Sequence, residues 1–318
     1  MQAQLQKPRR LVAIDAMNLL SRAFYGIPLS FDSSNRPNNA LRGWFNTWFL
    51  IQEKLDPDQI IAVFDGGRDE ERLKVLPQYK ANRTQKPTEY MQQLDAVYWL
   101  CGAMGILAYR KPGIEADDVL YTLSLAVPPE EELLVFSNDK DLTQSVQGRC
   151  RLVKPTQNNG RSGFEIWDES RVVEHFGVRP EQMALYLAMV GDPSDNVPGV
   201  PHIGPKTAAK LIAQFPDLAT LIHAPELGGN RWEALSTALE VTQLKVIPGI
   251  PWSARVENSE VDCELLESFC RRRALYRVAD KIARISPASS TPVPAAPAPG
   301  LTSTLRRQPD EKQPAFAL

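Results

Sequence analysis

Carboxylates placed just beyond apolar runs are the residues of this sequence best suited to chemistry. Asp15 follows LVAI, Asp65 follows IIAVF, and Asp139 and Asp141 lie three and five residues past LLVF. Glu115, Asp117 and Asp118 lie in KPGIEADDVL after the run ILAY, and Asp192 and Asp195 lie in GDPSDN. Any one of them could be merely a helix N-cap or a turn former. A converging set is different, because unit charges 4 Å apart repel by about 4 kcal/mol at an effective dielectric of 20. Such a set needs cations. The histidines, His175, His202 and His223, stand away from these acids, which argues against zinc or iron held by imidazole. An all-oxygen site suits Mg²⁺ or Mn²⁺. This many carboxylates fits two ions about 3.5–4 Å apart, acting on the attacking water and the leaving oxygen of a phosphodiester.

Positive charge is concentrated in two stretches. Between Arg68 and Lys86 six Lys or Arg face three acids, and LPQYKANRTQK contributes Tyr79, Lys80, Arg83 and Lys86 with no acid. Its place after the Asp65 run sets it beside the acids, where a Lys or Arg could hold the scissile phosphate. The second stretch, GVPHIGPKTAAKLIAQF, has Gly199 and Gly204 in P-loop spacing, but Pro205 intervenes before Lys206 and no strand precedes it. A G-x-x-x-x-G turn between two helices fits better, its helix start at 204–207 facing a DNA phosphate without reading bases.

These groups must be positioned by a scaffold, and the pattern is legible. Short apolar runs at 11–14, 60–64, 106–109 and 133–136, with a possible edge at 151–153, alternate with helical patterns at 41–54, 88–104 and 116–125. That alternation predicts an α/β sandwich with a parallel sheet, whose ligands bind beyond the carboxyl ends of the strands. From about 168 the strand signal vanishes, and helical periodicity covers 169–176, 180–190, 205–215, 217–223, 231–245 and 263–284. Residues 287–318 hold seven of the 26 prolines and read as a disordered tail. The expected division is therefore 1–168 catalytic α/β, 169–286 helical and 287–318 tail.

Composition sets the outer bounds. The chain has 318 residues, 43% hydrophobic and 23% charged, with net charge −2. That excludes a uniformly basic nucleic-acid coat. No run approaches the roughly 18 apolar residues of a membrane span, and the N-terminus lacks the apolar core of a signal peptide, so a cytoplasmic protein is expected. Cys101, Cys150, Cys263 and Cys270 show no C-x-x-C spacing and read as reduced, mostly buried thiols.

The segments LVAIDAMNLLSRAFYG, AVFDG, RLKVLPQYKANR, GIEADDVL, SNDKDLTQ and GDPSDNVPGVPHIGPKTA, in this order, resemble the bacterial and phage 5′-nuclease family. That family comprises the 5′-nuclease domain of DNA polymerase I and the stand-alone flap endonucleases. The resemblance implies a PIN-like, Rossmann-like fold with a helical arch and a C-terminal helix-three-turn-helix element. It also implies two divalent ions and cleavage of 5′-flap, nicked or 5′-ended DNA, RNA-primed ends included, by a monomer. One metal cluster would involve Asp15, Asp65, Glu115 and Asp117, the other Asp139, Asp141, Asp192 and Asp195, with Asp118 in support. Tyr79, Lys80 and Arg83 would stand at the base of an arch built by 84–104, and Arg22 matches a basic residue after the first motif. Gly199, Val200, Ile203, Gly204, Lys206, Thr207 and Lys210 would bind duplex backbone, with K⁺ at the same element. The position before Arg72, aromatic in the family pattern, is Glu71. Nothing after 285 suggests a polymerase domain, so a free-standing nuclease is expected. The filled acidic positions favour an active enzyme over a catalytically silent DNA-binding protein.

Overall fold

The computed structural model describes residues 7–158, 161–250 and 260–286; the expected tail at 287–318 lies outside them. Six strands form one sheet in the order β3-β2-β1-β4-β5-β6. They are β1 (Arg9–Asp15), β2 (Gln59–Phe64), β3 (Ile106–Arg110), β4 (Glu131–Phe136), β5 (Cys150–Asn158) and β6 (Arg161–Trp167). The first five in chain order pair in parallel and β6 runs antiparallel to β5.

The stretch at 151–153 is thus part of an interior strand, and the edge on that side is β6, which no apolar run announced. Ile166 on β6 is exposed, and an edge strand covered on one side does not need the continuous apolar run that β2, buried at every residue, requires.

Strand alternation sorts the core into two halves. Leu11, Ala13, Ile61, Val63, Leu133 and Val135 face one side, and Val12, Ile14, Ile60, Ala62, Leu134 and Phe136 the other. The second face is covered by α1 (Ala16–Gly26), α2 (Asn39–Leu55) and α4 (Thr88–Ala103), and also by α11 (Cys263–Arg272) and α12 (Tyr276–Ile285). The first is covered by α5 (Ala116–Leu125) and by α6 (Glu169–Phe176), α7 (Met183–Val190), α8 (Pro205–Gln214), α9 (Leu218–Leu221) and α10 (Arg231–Thr242). The helices after 168 are therefore divided between the two faces of the sheet.

The short helix α3 (Glu70–Val75) begins the crossover from β2 to β3. The arch expected over 84–104 is built differently. Tyr90, Leu94, Val97, Leu100 and Cys101 of α4 are buried against the sheet, so most of that segment is a packed crossover helix. The chain before it, 76–87, stands over the strand ends instead. Cys101, Cys150 and Cys270 are buried and Cys263 is half-buried, all four as free thiols. Burial pushes the Cys101 and Cys270 thiols up to about 12.

Candidate metal and nucleic-acid site

The acids meet beyond the carboxyl ends of β1, β2 and β4, and each is fixed locally. Asp15 ends β1 and caps α1, one oxygen accepting the Asn18 N–H at 3.0 Å and the other the Ser137 hydroxyl at 2.8 Å. The helix-cap role and the site role are therefore both present in one residue. Asp65 accepts the Ala116 N–H at 2.9 Å, which ties the end of β2 to the start of α5. Ser137 also accepts the Asp139 N–H at 3.0 Å, and Asp139 in turn accepts the Asp141 N–H at 3.0 Å. Asp192 accepts from both the N–H and the hydroxyl of Ser194 and pairs with Lys140 at 3.2 Å. Carboxylate oxygens of Asp141, Asp192 and Asp195 lie within 4.8 Å of one another.

The electrostatics record the crowding. Burial, then Asp65 and Asp139, pushes the Asp15 carboxyl up to about 7. Burial first and neighbouring acids second hold Asp117 and Asp141 well above the usual range. Asp65 and Asp139 are raised as well, again chiefly by burial. Glu115 and Asp192 go the other way. Burial would raise both, but Lys80 and Arg72 hold Glu115 low, and Ser194 and Lys140 hold Asp192 low.

Glu115 is the meeting point of the basic segment. Lys80 Nζ donates to it at 2.8 Å, the Tyr79 hydroxyl at 3.1 Å and Arg72 Nη1 at 2.9 Å. Burial opposes the charge on Lys80, yet Glu115 and Asp195 hold its pKa above the ordinary lysine value. Arg83 pairs with Asp195. Main-chain and amide contacts fasten the same segment across the crevice: Lys80 N–H to Asp195 O at 2.9 Å, Asn82 Nδ2 to Pro193 O at 2.7 Å, and Asn196 Nδ2 to Gln78 O at 2.8 Å.

Asp118 is not among the crevice acids. Arg72 donates to both its oxygens at 2.8 Å, and the Lys245 N–H donates to Oδ1 at 2.8 Å, with Arg72 and Asp118 each 2% exposed. The adjacent acids of ADDVL point about 100° apart around the helix, so Asp117 enters the crevice while Asp118 closes a buried pair behind it. Glu71 sits exposed, 3.7 Å from Lys245, and plays no part in the crevice. Sequence reasoning gave no role to Arg72, Ser137 or Lys140, and named Lys86 only as one cation of the basic segment. The available signals were a hydroxyl directly after LLVF and a basic residue inside RLKVL.

The 199–210 element is built around two glycines. Gly191 and Gly199 have φ of 81° and 70°, and a Cβ on Gly199 would lie 2.6 Å from Gly191 N. Val200 and Ile203 are buried, their N–H groups bonded to Met189 O and Val200 O. Gly204 is the N-cap of α8 and Pro205 its first residue. Lys206, Thr207 and Lys210 are exposed on its first turns. Arg22, on α1, has Nη1 enclosed without a hydrogen-bond partner.

Comparison with known proteins agrees with this architecture. The family profile of the 5′-3′ exonuclease N-terminal resolvase-like domain matches residues 10–177, and that of the 5′-3′ exonuclease C-terminal SAM fold matches 178–246. The chain is 36% identical over 215 residues to DNA polymerase I of Mycobacterium bovis, covering 67% of this chain and 24% of that protein. It is 30% identical over 215 residues to the 5′-3′ exonuclease of Aquifex aeolicus, covering 67% of this chain and 72% of that one. It thus spans about a quarter of the DNA polymerase I relatives. The phage T5 flap endonuclease, crystallised with DNA and metal ions, shares the fold with a TM-score of 0.56 at 21% identity, over 87% of this chain and 99% of that one. No helix among the described residues is long and apolar enough to cross a membrane. Matched by both domain profiles, the chain belongs to the 5′-3′ exonuclease family.

Proposed function

We propose that this chain is a divalent-metal-dependent nuclease that hydrolyses DNA phosphodiester bonds at 5′ ends and 5′ flaps, RNA-primed ends included, during replication and repair in the cytoplasm. The observation that carries the reading is the crowding of acids whose carboxyls burial and mutual repulsion hold above their ordinary values. The donors are all oxygen, and Asp141 Oδ1 is buried with no partner, a set that fits Mg²⁺ or Mn²⁺. Asp15, Asp65, Glu115 and Asp117 would hold one ion and Asp139, Asp141, Asp192 and Asp195 the other. Bound there, the ions supply Lewis acidity and an activated water.

The chain's own groups bind and orient. Lys80 and Arg83, which neutralise Glu115 and Asp195 in the free protein, are freed to donate to oxygens of the scissile phosphate as its charge develops. Tyr79 keeps Glu115 in place. The start of α8 with Lys206, Thr207 and Lys210 holds duplex phosphates, and the 199–204 turn would be where K⁺ is held. The unit acts as a monomer, with residues 1–168 carrying the chemistry and 169–286 supporting duplex binding.

Cleavage of a labelled 5′-flap duplex tests this. Activity with Mg²⁺ or Mn²⁺, its loss in EDTA, and a loss of at least about 10²-fold in Asp139→Asn are expected. Tight binding of the flap with no cleavage under either metal would leave a silent binding protein and overturn the proposal.

A further inference from the structure

Lys140 lies between Asp139 and Asp141 in the sequence, and its ammonium turns to a third acid, Asp192, at 3.2 Å. The main chain there is fixed, the Lys140 carbonyl accepting the Thr143 N–H at 3.0 Å and the Thr143 hydroxyl at 2.6 Å. The side chain is not fixed in this way. It is 37% exposed, and among the described residues Asp192 is the carboxylate it meets within 4.0 Å. Asp192 uses its two oxygens differently. Oδ1 accepts the Ser194 N–H at 2.9 Å and the Ser194 hydroxyl at 2.7 Å, which fills both its lone pairs. Oδ2 is the oxygen left to an ion, and it is the one that Lys140 holds.

Such pairing is confined to part of the crevice. Among the described residues, Asp15, Asp65, Asp117, Asp139 and Asp141 have no Lys or Arg within 4.0 Å, whereas Glu115, Asp192 and Asp195 do. Asp141, Asp192 and Asp195 bring carboxylate oxygens within 4.8 Å of one another, and Asp141 Oδ1 is buried without a partner. A divalent ion drawn to that orphaned oxygen, bonding at about 2.0–2.1 Å if it is Mg²⁺, would stand against the Lys140 ammonium. Two like charges then repel across Asp192 Oδ2, so the binding of one disfavours the other. Lys80 and Arg83 have oxygens of the scissile phosphate to turn to. Lys140 has a flexible four-carbon stem and open water.

We propose that Lys140 is the resident counter-ion of the Asp141, Asp192 and Asp195 cluster and competes there with a divalent ion, which enters as the ammonium swings out to solvent. This deepens the nuclease reading above and rests on it. An ammonium that holds Asp192 about nine-tenths of the time lowers the apparent affinity of that ion about tenfold. The cluster therefore fills at a higher metal concentration than its carboxylates alone would set.

Titration of the DNA-free chain with Mn²⁺, the free ion being read by electron paramagnetic resonance, tests it. The chain is compared with Lys140→Gln, Lys140→Arg and Lys154→Gln. Lys154 controls for charge alone. Its ammonium lies over the Trp167 ring at 4.3 Å and feels the charge of Asp139, yet among the described residues it meets no carboxylate within 4.0 Å. Lys140→Gln should bind its weaker ion about tenfold more tightly, or hold a second ion that the unaltered chain does not, while both controls stay within about threefold of the unaltered chain. The direction is distinctive, because a lysine that merely shaped the site would weaken the ion when removed. In flap cleavage the Mg²⁺ concentration for half-maximal rate should fall in Lys140→Gln as well. An unchanged or weaker second ion in Lys140→Gln, an unchanged Mg²⁺ requirement, or an equal gain in either control would overturn the competition. No bound Mn²⁺ and no cleavage of a 5′ flap by the unaltered chain would instead overturn the nuclease reading.

Discussion

At Lys80 the backbone and the side chain are gripped separately. Its φ of 55° is the left-handed region, at about 1–2 kcal/mol for a residue with a Cβ. The N–H to Asp195 and the ammonium to Glu115 hold it there. If Lys80 acts on the scissile phosphate, Lys80→Ala should cut the cleavage rate by about 10²–10³-fold and weaken duplex binding by less than about threefold. Equal losses, measured by single-turnover rate and by equilibrium binding, would reduce Lys80 to a backbone contact. Asp15 yields a second prediction. With its carboxyl at about 7 in the folded chain and near 3.8 when unfolded, the folded state keeps a proton that the unfolded state releases between those values. Its stabilising contribution is therefore full below about pH 4 and lost as pH rises through about 7, and Asp65, Asp117, Asp139 and Asp141 shift in the same direction. Melting temperature in EDTA should fall between pH 5 and pH 8, and saturating Mg²⁺ should remove the fall. A flat profile without metal would mean that the acids do not repel one another as described.

The turn between α7 and α8 shows that the two glycines of G-x-x-x-x-G have different reasons to be there. Gly199 has positive φ and no room for a Cβ, whereas Gly204 has φ −95° and nothing within 4 Å of where a Cβ would stand. Gly199→Ala should cost about 2–4 kcal/mol and Gly204→Ala less than about 1 kcal/mol, read from denaturant midpoints. Similar losses at both would mean that the turn needs flexibility rather than close approach. The same contrast explains what was legible beforehand. The runs that became β1, β2 and β4 were visible because a parallel strand buried on both faces must be apolar throughout, while β3, at the other edge and only partly buried, was visible from the run ILAY alone. The edge strand β6 was not, because one side of it meets water. Convergence of the acids followed from their placement after those runs. The separation of Asp117 from Asp118 could not, since it depends on Arg72, 46 residues from Asp118 in sequence. Helix α4 showed helical periodicity, but periodicity cannot say whether a helix stands free or packs.

Across the whole molecule the last two helices are part of the sheet's own core. Leu266, Cys270, Leu275, Val278, Ala279 and Ile282 are at most 5% exposed. Arg273 Nε stands 3.1 Å from the fully buried Asp32, while Asn38 Nδ2 donates to Arg273 O at 2.8 Å. Ending the chain at residue 250 would uncover that apolar face. The expected result is a melting temperature lower by about 10 °C or more, with self-association on size-exclusion chromatography. A monomer of unchanged melting temperature would show that the sheet's second face closes without these helices. The net charge of −2 hides a segregation in which crowded acids line one crevice and Arg72, Lys80, Arg83 and Lys140 pair with some of them. Those acids are also spread along the chain in a way that matters before folding is complete. Asp195 is synthesised 180 residues after Asp15, ~10–40 s later at ordinary elongation rates. A chain that stops short of residue 195 therefore lacks part of the crevice, and only one extended past it can bring all of these carboxylates together.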